Sequence, residues 1–313
     1  MTPDGPKSVD RRAIDAASLF SWYDEAIDRA AAASVARHEL DWLLLQRCGL
    51  DRLTLRLRSP ATRPIASQVS LDELATLWQQ RLVDRVPVQY LAGSTTWRSL
   101  TLRVTPAVLI PRPETEAIVD LAIEAAGDRL EGHWADLGTG SGAIAIALAA
   151  ELAALGKSAT VHASDRSAAA LAVARQNAIG CGDRVEFYQG SWFEPFAGSG
   201  LKFRAIVSNP PYIPAATVDE LAPEVRDREP RLALDGGETG LDCLIELFDR
   251  APDWLEADGI LAVEHEARQG QVTRDLLIER GYRDVRTVRD FAGLDRFAIA
   301  RCPSPRAYTK PRK

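Results

Sequence analysis

The chain has 313 residues, 46% of them apolar, and a formal net charge of −6. That length suits one large or two modest domains with ample material for a core, and an acidic balance argues against a protein built chiefly to hold a phosphate backbone. The start Met-Thr-Pro-Asp-Gly-Pro-Lys has no signal-peptide pattern and no apolar run is long enough to cross a bilayer, so a cytoplasmic enzyme with no membrane association is expected. Cys48, Cys181, Cys243 and Cys302 form no C-x-x-C pair, and the 4 histidines share no ligand spacing. Reduced thiols and no metal are therefore expected.

In chain order, residues 1–10 read as disordered and about 11–90 as helices. Leu19, Trp22, Tyr23 and Ile27, then Leu40, Leu43 and Leu44, repeat at helical spacing. Ser70-Leu-Asp-Glu73 has the form of a capping box opening a helix through Leu74, Leu77, Trp78 and Leu82. From Gly93 the period changes, and Trp97, Leu100, Leu102, Val104 and Val108–Ile110 suggest a hairpin. From Pro113 the pattern alternates: strands near 133–137, 159–165, 184–189, 203–208 and 259–265, with helices at 114–126, 142–154, 167–178, 240–256 and 268–280. Late strands at 284–289 and 296–301 complete a seven-stranded, doubly wound α/β sheet. The implied divisions are a helical domain (1–92), a β-hairpin linker (93–111), an α/β domain (112–302) and a disordered tail (303–313).

Ligands of such a sheet bind beyond the carboxyl ends of its strands, and three motifs fall there. Asp136-Leu-Gly-Thr-Gly-Ser-Gly142 is a D-x-G-x-G-x-G turn from strand to helix, not the G-x-G-x-x-G of pyrophosphate sites. Its tight glycine turn suits a ligand with an amino acid and an adenosine but no phosphates, such as S-adenosylmethionine (SAM). Asp165 ends the next strand, where a carboxylate can accept both hydroxyls of a ribose.

Asn209-Pro-Pro-Tyr212 follows the apolar run Phe203–Ser208. Each proline fixes its own φ and pushes the preceding residue out of the α region. Asn209 is thereby held extended with its amide aimed. A planar –NH2 group whose two hydrogens go to the Asn209 side-chain oxygen and the Pro210 carbonyl has its lone-pair face left open. Tyr212 is placed to cover the other face. The tetrapeptide holds no acid, base, metal ligand or nucleophile, which suits methyl transfer to an amide or exocyclic amine.

These motifs, with Pro87–Gly93, Leu109-Ile-Pro-Arg-Pro-Glu-Thr-Glu116, Glu229–Gly237 and Arg289–Arg296, resemble the HemK/PrmC family. Its members are SAM-dependent methyltransferases that modify the N5 nitrogen of the Gly-Gly-Gln glutamine in class 1 peptide chain release factors. The resemblance covers Val86 to Ala300. It implies that Gly138, Thr139, Gly140, Ser141 and Gly142 cradle the methionine portion of SAM, that Asp165 holds the ribose, and that Trp192 lies against the adenine. Asn209, Pro210, Pro211 and Tyr212 would bind the substrate glutamine, with Asn209 bordering the cofactor as well. Glu116 is either a ligand contact or, with Pro113 and Glu114, part of a helix start. The implied reaction is direct displacement, the glutamine nitrogen taking the methyl group and shedding a proton as S-adenosylhomocysteine leaves. The helical domain fits the family's substrate-docking domain. Two positions depart from the pattern: Ser191 stands where many relatives have an acid, and Glu266 where glycine is common.

Three other functions use parts of the same sequence. An adenine methyltransferase of DNA or RNA would need phosphate neutralisation. Residues 1–92 carry 12 basic and 12 acidic side chains, and the run Arg47, Arg52, Arg56, Arg58, Arg63 reads as a solvated face. The glutamine methyltransferases of ribosomal protein L3 share N-P-P-Y but usually lack Pro113–Glu116. A SAM-binding module without activity would have no use for the intact tetrapeptide.

Overall fold

The computed structural model describes residues 12–57 and 64–302. The ends expected to be disordered (1–10 and 303–313), Arg58 and Arg63 lie outside the described residues. The chain forms two compact units, Met1–Ser94 with Pro223–Arg228, and Thr95–Ala222 with Glu229–Lys313.

In the first unit, helices Ala16–Ala32, Arg37–Cys48 and Leu71–Leu82 pack Leu19, Tyr23, Leu40, Leu43, Leu44 and Trp78 into one fully buried cluster. The Trp78 indole is accommodated because its Nε1 donates to the Ala26 carbonyl at 3.1 Å. Trp22 and Ile27 pack against this cluster half-buried. The expected capping box is present at Ser70 and Glu73. The helical expectation misses one feature: β1 (Arg12–Ile14) pairs antiparallel with β2 (Ile65–Ser67). Three residues are too few to carry an alternating pattern.

Segment Pro223–Arg228, 130 positions beyond Gly93, joins this unit through charge. Arg81, 6% exposed, donates to Glu39 at 2.5 and 2.9 Å and to Glu224 at 2.9 Å. Arg85 pairs with Glu224 at 2.7 Å. A buried guanidinium needs such partners, because desolvation would otherwise make the charge prohibitive.

From the last residue of the first unit into the second, β3 (Ser94–Trp97) and β4 (Leu100–Arg103) form the expected hairpin, with Trp97 and Leu102 inside the second unit's core. The main sheet contains β5 (Gly132–Leu137), β6 (Ala159–Asp165), β7 (Val185–Gln189), β8 (Phe203–Ser208), β9 (Leu255–Glu264), β10 (Arg283–Arg289) and β11 (Asp295–Arg301). Their order is β10-β11-β9-β8-β5-β6-β7. Strands β5 to β9 run parallel, and β11 is antiparallel between β9 and β10. The chain winds outward from β5 through β6 and β7, then returns to β8 on the other side of β5. That reversal opens a crevice at the carboxyl ends of β5 and β8, where parallel α/β sheets take ligands.

Helices Ala143–Ala154 and Ala168–Asn177 match the expected positions. The expected helix over 240–256 ends at Arg250 instead, and β9 begins at Leu255. Pro252 lies in the Ala251–Asp253 turn between them, where its missing N–H cannot continue a helix. Likewise Pro113–Glu116 is a 3-10 turn, and the α-helix starts at Ala117.

Candidate active site

The glycine turn leaves β5 at Leu137 and enters helix Ala143–Ala154. Gly138, Gly140 and Gly142 all have positive φ (75°, 55° and 84°), the left-handed region that glycine enters without steric cost. A Cβ on Gly138 would also sit 3.3 Å from Cζ3 of Trp192. Asp136 pins the turn from beneath: Thr139 Oγ1 donates to its Oδ2 at 2.5 Å and the Ala145 N–H at 3.0 Å. Complete burial pushes the Asp136 carboxyl up to about 7, against the pull of those two donors.

At the end of β6, Asp165 Oδ2 accepts from the Gly140 N–H at 2.9 Å and Oδ1 from the Ser167 N–H at 2.8 Å. The carboxylate therefore both shapes the glycine turn and presents its remaining lone pairs to the crevice. Burial raises its pKa while the two N–H donors lower it.

Trp192 holds φ of 48°, a left-handed conformation for a bulky residue, which costs ~1–3 kcal/mol and persists only where neighbours enforce it. Here Nε1 donates to Glu246 Oε2 at 3.1 Å, and Ser164 Oγ donates to the Trp192 carbonyl at 2.9 Å. At the Ser191 departure, the Ser191 N–H is taken by Glu194 Oε2 at 3.0 Å. Glu266 stands at φ −66°, which needs no glycine, and its side chain caps the following turn.

The tetrapeptide after β8 is clamped on its backbone. Gln269 Nε2 donates to the Tyr212 carbonyl at 3.0 Å and to the Gly240 carbonyl at 3.2 Å. The loop 234–240 packs so closely that a Cβ on Gly236 would stand 2.8 Å from the Pro211 oxygen, and one on Gly240 would stand 2.3 Å from the Tyr212 oxygen. Only glycine fits at either place. Asn209 Nδ2 donates to Thr115 Oγ1 at 3.1 Å, which turns Oδ1 the other way. Tyr212 donates its hydroxyl to Glu264 Oε1 at 3.0 Å. Burial first, then the Glu264 charge, raises the Tyr212 pKa well above the ordinary phenol value.

Gly138, Gly140, Asp165, Trp192, Asn209 and Pro211 meet around one cavity of about 240 Å³. Thr139, Ser141, Gly142, Pro210 and Tyr212 do not line it. Thr139 and Tyr212 act through the bonds given above. Glu116 is also outside it, with Oε1 accepting from the Arg98 N–H at 2.8 Å. Thr115, Glu264, Gln269 and the glycines of 236–240 carry no site signal of their own in the sequence, although Thr115, Gly236 and Gly237 lie in the segments that carry the family resemblance. The cavity fits an adenosyl amino acid: a carboxylate for a diol, an indole wall for a base, and exposed glycine backbone.

The strand order and the glycine turn at its reversal define a class I SAM-dependent methyltransferase. The likeness extends to known proteins. The family model for the methyltransferase small domain matches residues 118–225. A release factor glutamine methyltransferase of Synechocystis sp. is 44% identical over 287 residues, spanning 90% of this chain and 95% of its own. That of Gloeobacter violaceus is 43% identical over 281 residues, spanning 89% and 95%. The chain belongs to the release factor glutamine methyltransferase family. The solved catalytic domain of hMettl16, in complex with MAT2A 3'UTR hairpin 6, shares the fold alone, with a TM-score of 0.51 at 13% identity over 76% of this chain and 83% of its own. Among the described residues no helix is long and apolar enough to cross a membrane.

Proposed function

We propose that this chain transfers a methyl group from SAM to the N5 nitrogen of the glutamine in the Gly-Gly-Gln tripeptide of class 1 peptide chain release factors, in the cytoplasm. The observation that carries the proposal is the orientation of Asn209 at the edge of the cavity, with Nδ2 bound to Thr115 and Oδ1 free to accept. SAM supplies an electrophilic methyl group on a sulfonium. Gly138–Gly142 and Asp165 hold it, and Trp192 lies against its adenine. Asn209 Oδ1 and the Pro210 carbonyl accept the two amide hydrogens of the glutamine, which fixes the plane of the nitrogen. Orientation of this kind supplies several kcal/mol, ~7–11 at most. Pro211 and Tyr212 complete the substrate side, and Tyr212 is held in place through Glu264.

The helical unit serves as the docking surface for the release factor in this reading, with no direct contact to nucleic acid. The ribosomal-protein alternative is disfavoured by Thr115. It lies in the Pro113–Glu116 segment that those enzymes usually lack, and it is the residue that holds Asn209.

The test is incubation of the chain with methyl-labelled SAM and purified release factor, then mass spectrometry of the Gly-Gly-Gln peptide. One added methyl on the glutamine side chain is expected. Absence of transfer, or transfer to nucleic acid in a parallel assay, would overturn the assignment.

A further inference from the structure

Glu264 ends β9 and is 1% exposed, with a hydrogen-bonded Tyr212 on Oε1 and no partner in good geometry for Oε2 among the described residues. A buried carboxylate with an orphaned oxygen is costly to keep. Thr115, 4% exposed, lies beside the same carboxylate and favours its anion, short of a hydrogen bond of good geometry to either oxygen. Its Oγ1 meanwhile receives Asn209 Nδ2.

A threonine hydroxyl has one hydrogen. If Glu264 takes that hydrogen, Thr115 can only accept from Asn209, and Asn209 must turn its NH2 inward and its oxygen outward. If the hydrogen is instead free, it can point at Asn209 Oδ1 and the amide can flip. The outward group would then be an NH2, which cannot accept the hydrogens of a substrate amide.

We propose that Glu264 and Thr115 are positioning residues that set the direction of this hydrogen-bond chain, so that Asn209 presents an acceptor to the substrate amide and Tyr212 is held beside it. The inference rests on the methyl-transfer reading above and adds two residues that act through Asn209 and Tyr212 without touching the substrate.

The charge state of Glu264 is set by its surroundings. Burial raises its pKa, while the Thr115 and Tyr212 hydroxyls and the nearby Arg296 favour the anion; Glu114 opposes it. Arg112 also faces Tyr212. Protonation of Glu264 removes the directional bias, so turnover falls as pH decreases through its pKa.

The experiment uses the full chain in four forms: wild type, Glu264→Gln, Thr115→Val and Thr115→Ser. For each, thermal melting, SAM affinity by calorimetry, and single-turnover methylation of a Gly-Gly-Gln substrate against pH are measured. Glu264→Gln keeps the shape, but its amide donates to Thr115 and permits the flip. The expected result is about tenfold or greater loss of the methyl-transfer rate with SAM affinity within about twofold. Glu264→Gln should also lose the acid limb of the wild-type rate profile. Thr115→Val should match Glu264→Gln, and Thr115→Ser should retain most of the rate. Should Glu264→Gln fail to fold, Thr115→Val and Thr115→Ser decide the matter. Variants of either residue as fast as wild type, or with the acid limb intact in Glu264→Gln, overturn the inference. Inactivity of the wild type itself would instead overturn the methyl-transfer reading.

Discussion

Asn209 and Thr115 stand 94 positions apart and are joined by a 3.1 Å hydrogen bond from Asn209 Nδ2 to Thr115 Oγ1. This bond turns a side chain that has both donor and acceptor faces into an acceptor toward the cavity. The remaining architecture supports that choice. Gln269 and the glycine-rich loop clamp the backbone of the tetrapeptide, and the turn after β5 borders the same cavity.

Asp165 is expected to serve ligand and loop together. Asp165→Ala should weaken binding of both SAM and S-adenosylhomocysteine by ~1.5–3 kcal/mol, the range for a charge-assisted hydrogen bond. Calorimetry on the purified variant measures this. Unchanged affinity, or preferential binding of NAD by the wild type, would show that the crevice has been misassigned.

Asp136 should leave a mark on stability against pH. Its folded pKa, about 7, lies above the ordinary aspartate value of 3.8, so the native state holds a proton that the unfolded chain releases. Stability from this group is fully present below the unfolded pKa and is lost as pH rises toward the folded one. Relative to Asp136→Asn, the wild type should therefore lose stability from about pH 4 to about pH 7, by no more than ~1.4 kcal/mol per pH unit. Above that range the difference should be flat. Urea midpoints for both proteins across this range provide the check, and a difference that rises with pH would contradict the burial argument.

Arg81 should matter to the helical unit as a structural charge. Arg81→Met leaves Glu39 and Glu224 without their shared partner, and breaking a buried ion network of this kind costs ~3 kcal/mol. Hydrogen exchange should then quicken in Pro223–Arg228, the segment that Glu224 anchors to this unit. Wild-type exchange rates there would mean that the Arg85–Glu224 pair and the Arg228 bonds to the Asp84 carbonyl suffice to hold it.

The sequence made the sheet and the cavity readable for a local reason. The glycine turn, Asp165 and Asn209 each follow a short apolar strand, so each motif carries its own address at a strand's carboxyl end. Thr115 and Glu264 carry no such signal. One reads as part of a helix start and the other as an acid ending a strand, and they reach the tetrapeptide only through contacts 94 and 52 positions away in the chain. The β1–β2 pair was hidden by its length, and the end of helix Asp242–Arg250 by apolar residues that continue past it into β9. Glu116 shows the converse: a conspicuous acid in a conspicuous motif is bonded to the Arg98 backbone, outside the cavity.

Methyl transfer by orientation requires a neutral acceptor at position 209, and single-turnover rates of wild type, Asn209→Ala and Asn209→Asp test this most directly. Asn209→Ala should lose most activity with far smaller change in SAM binding. Asn209→Asp should also be slow, by roughly tenfold or more, equivalent to ~1.4 kcal/mol of transition-state stabilisation. A carboxylate there has no N–H for Thr115, costs desolvation in a closed site, and stabilises a cationic ground state more than the transition state. An Asp variant as fast as wild type would mean that the site works as a base, contradicting the neutral-acceptor mechanism.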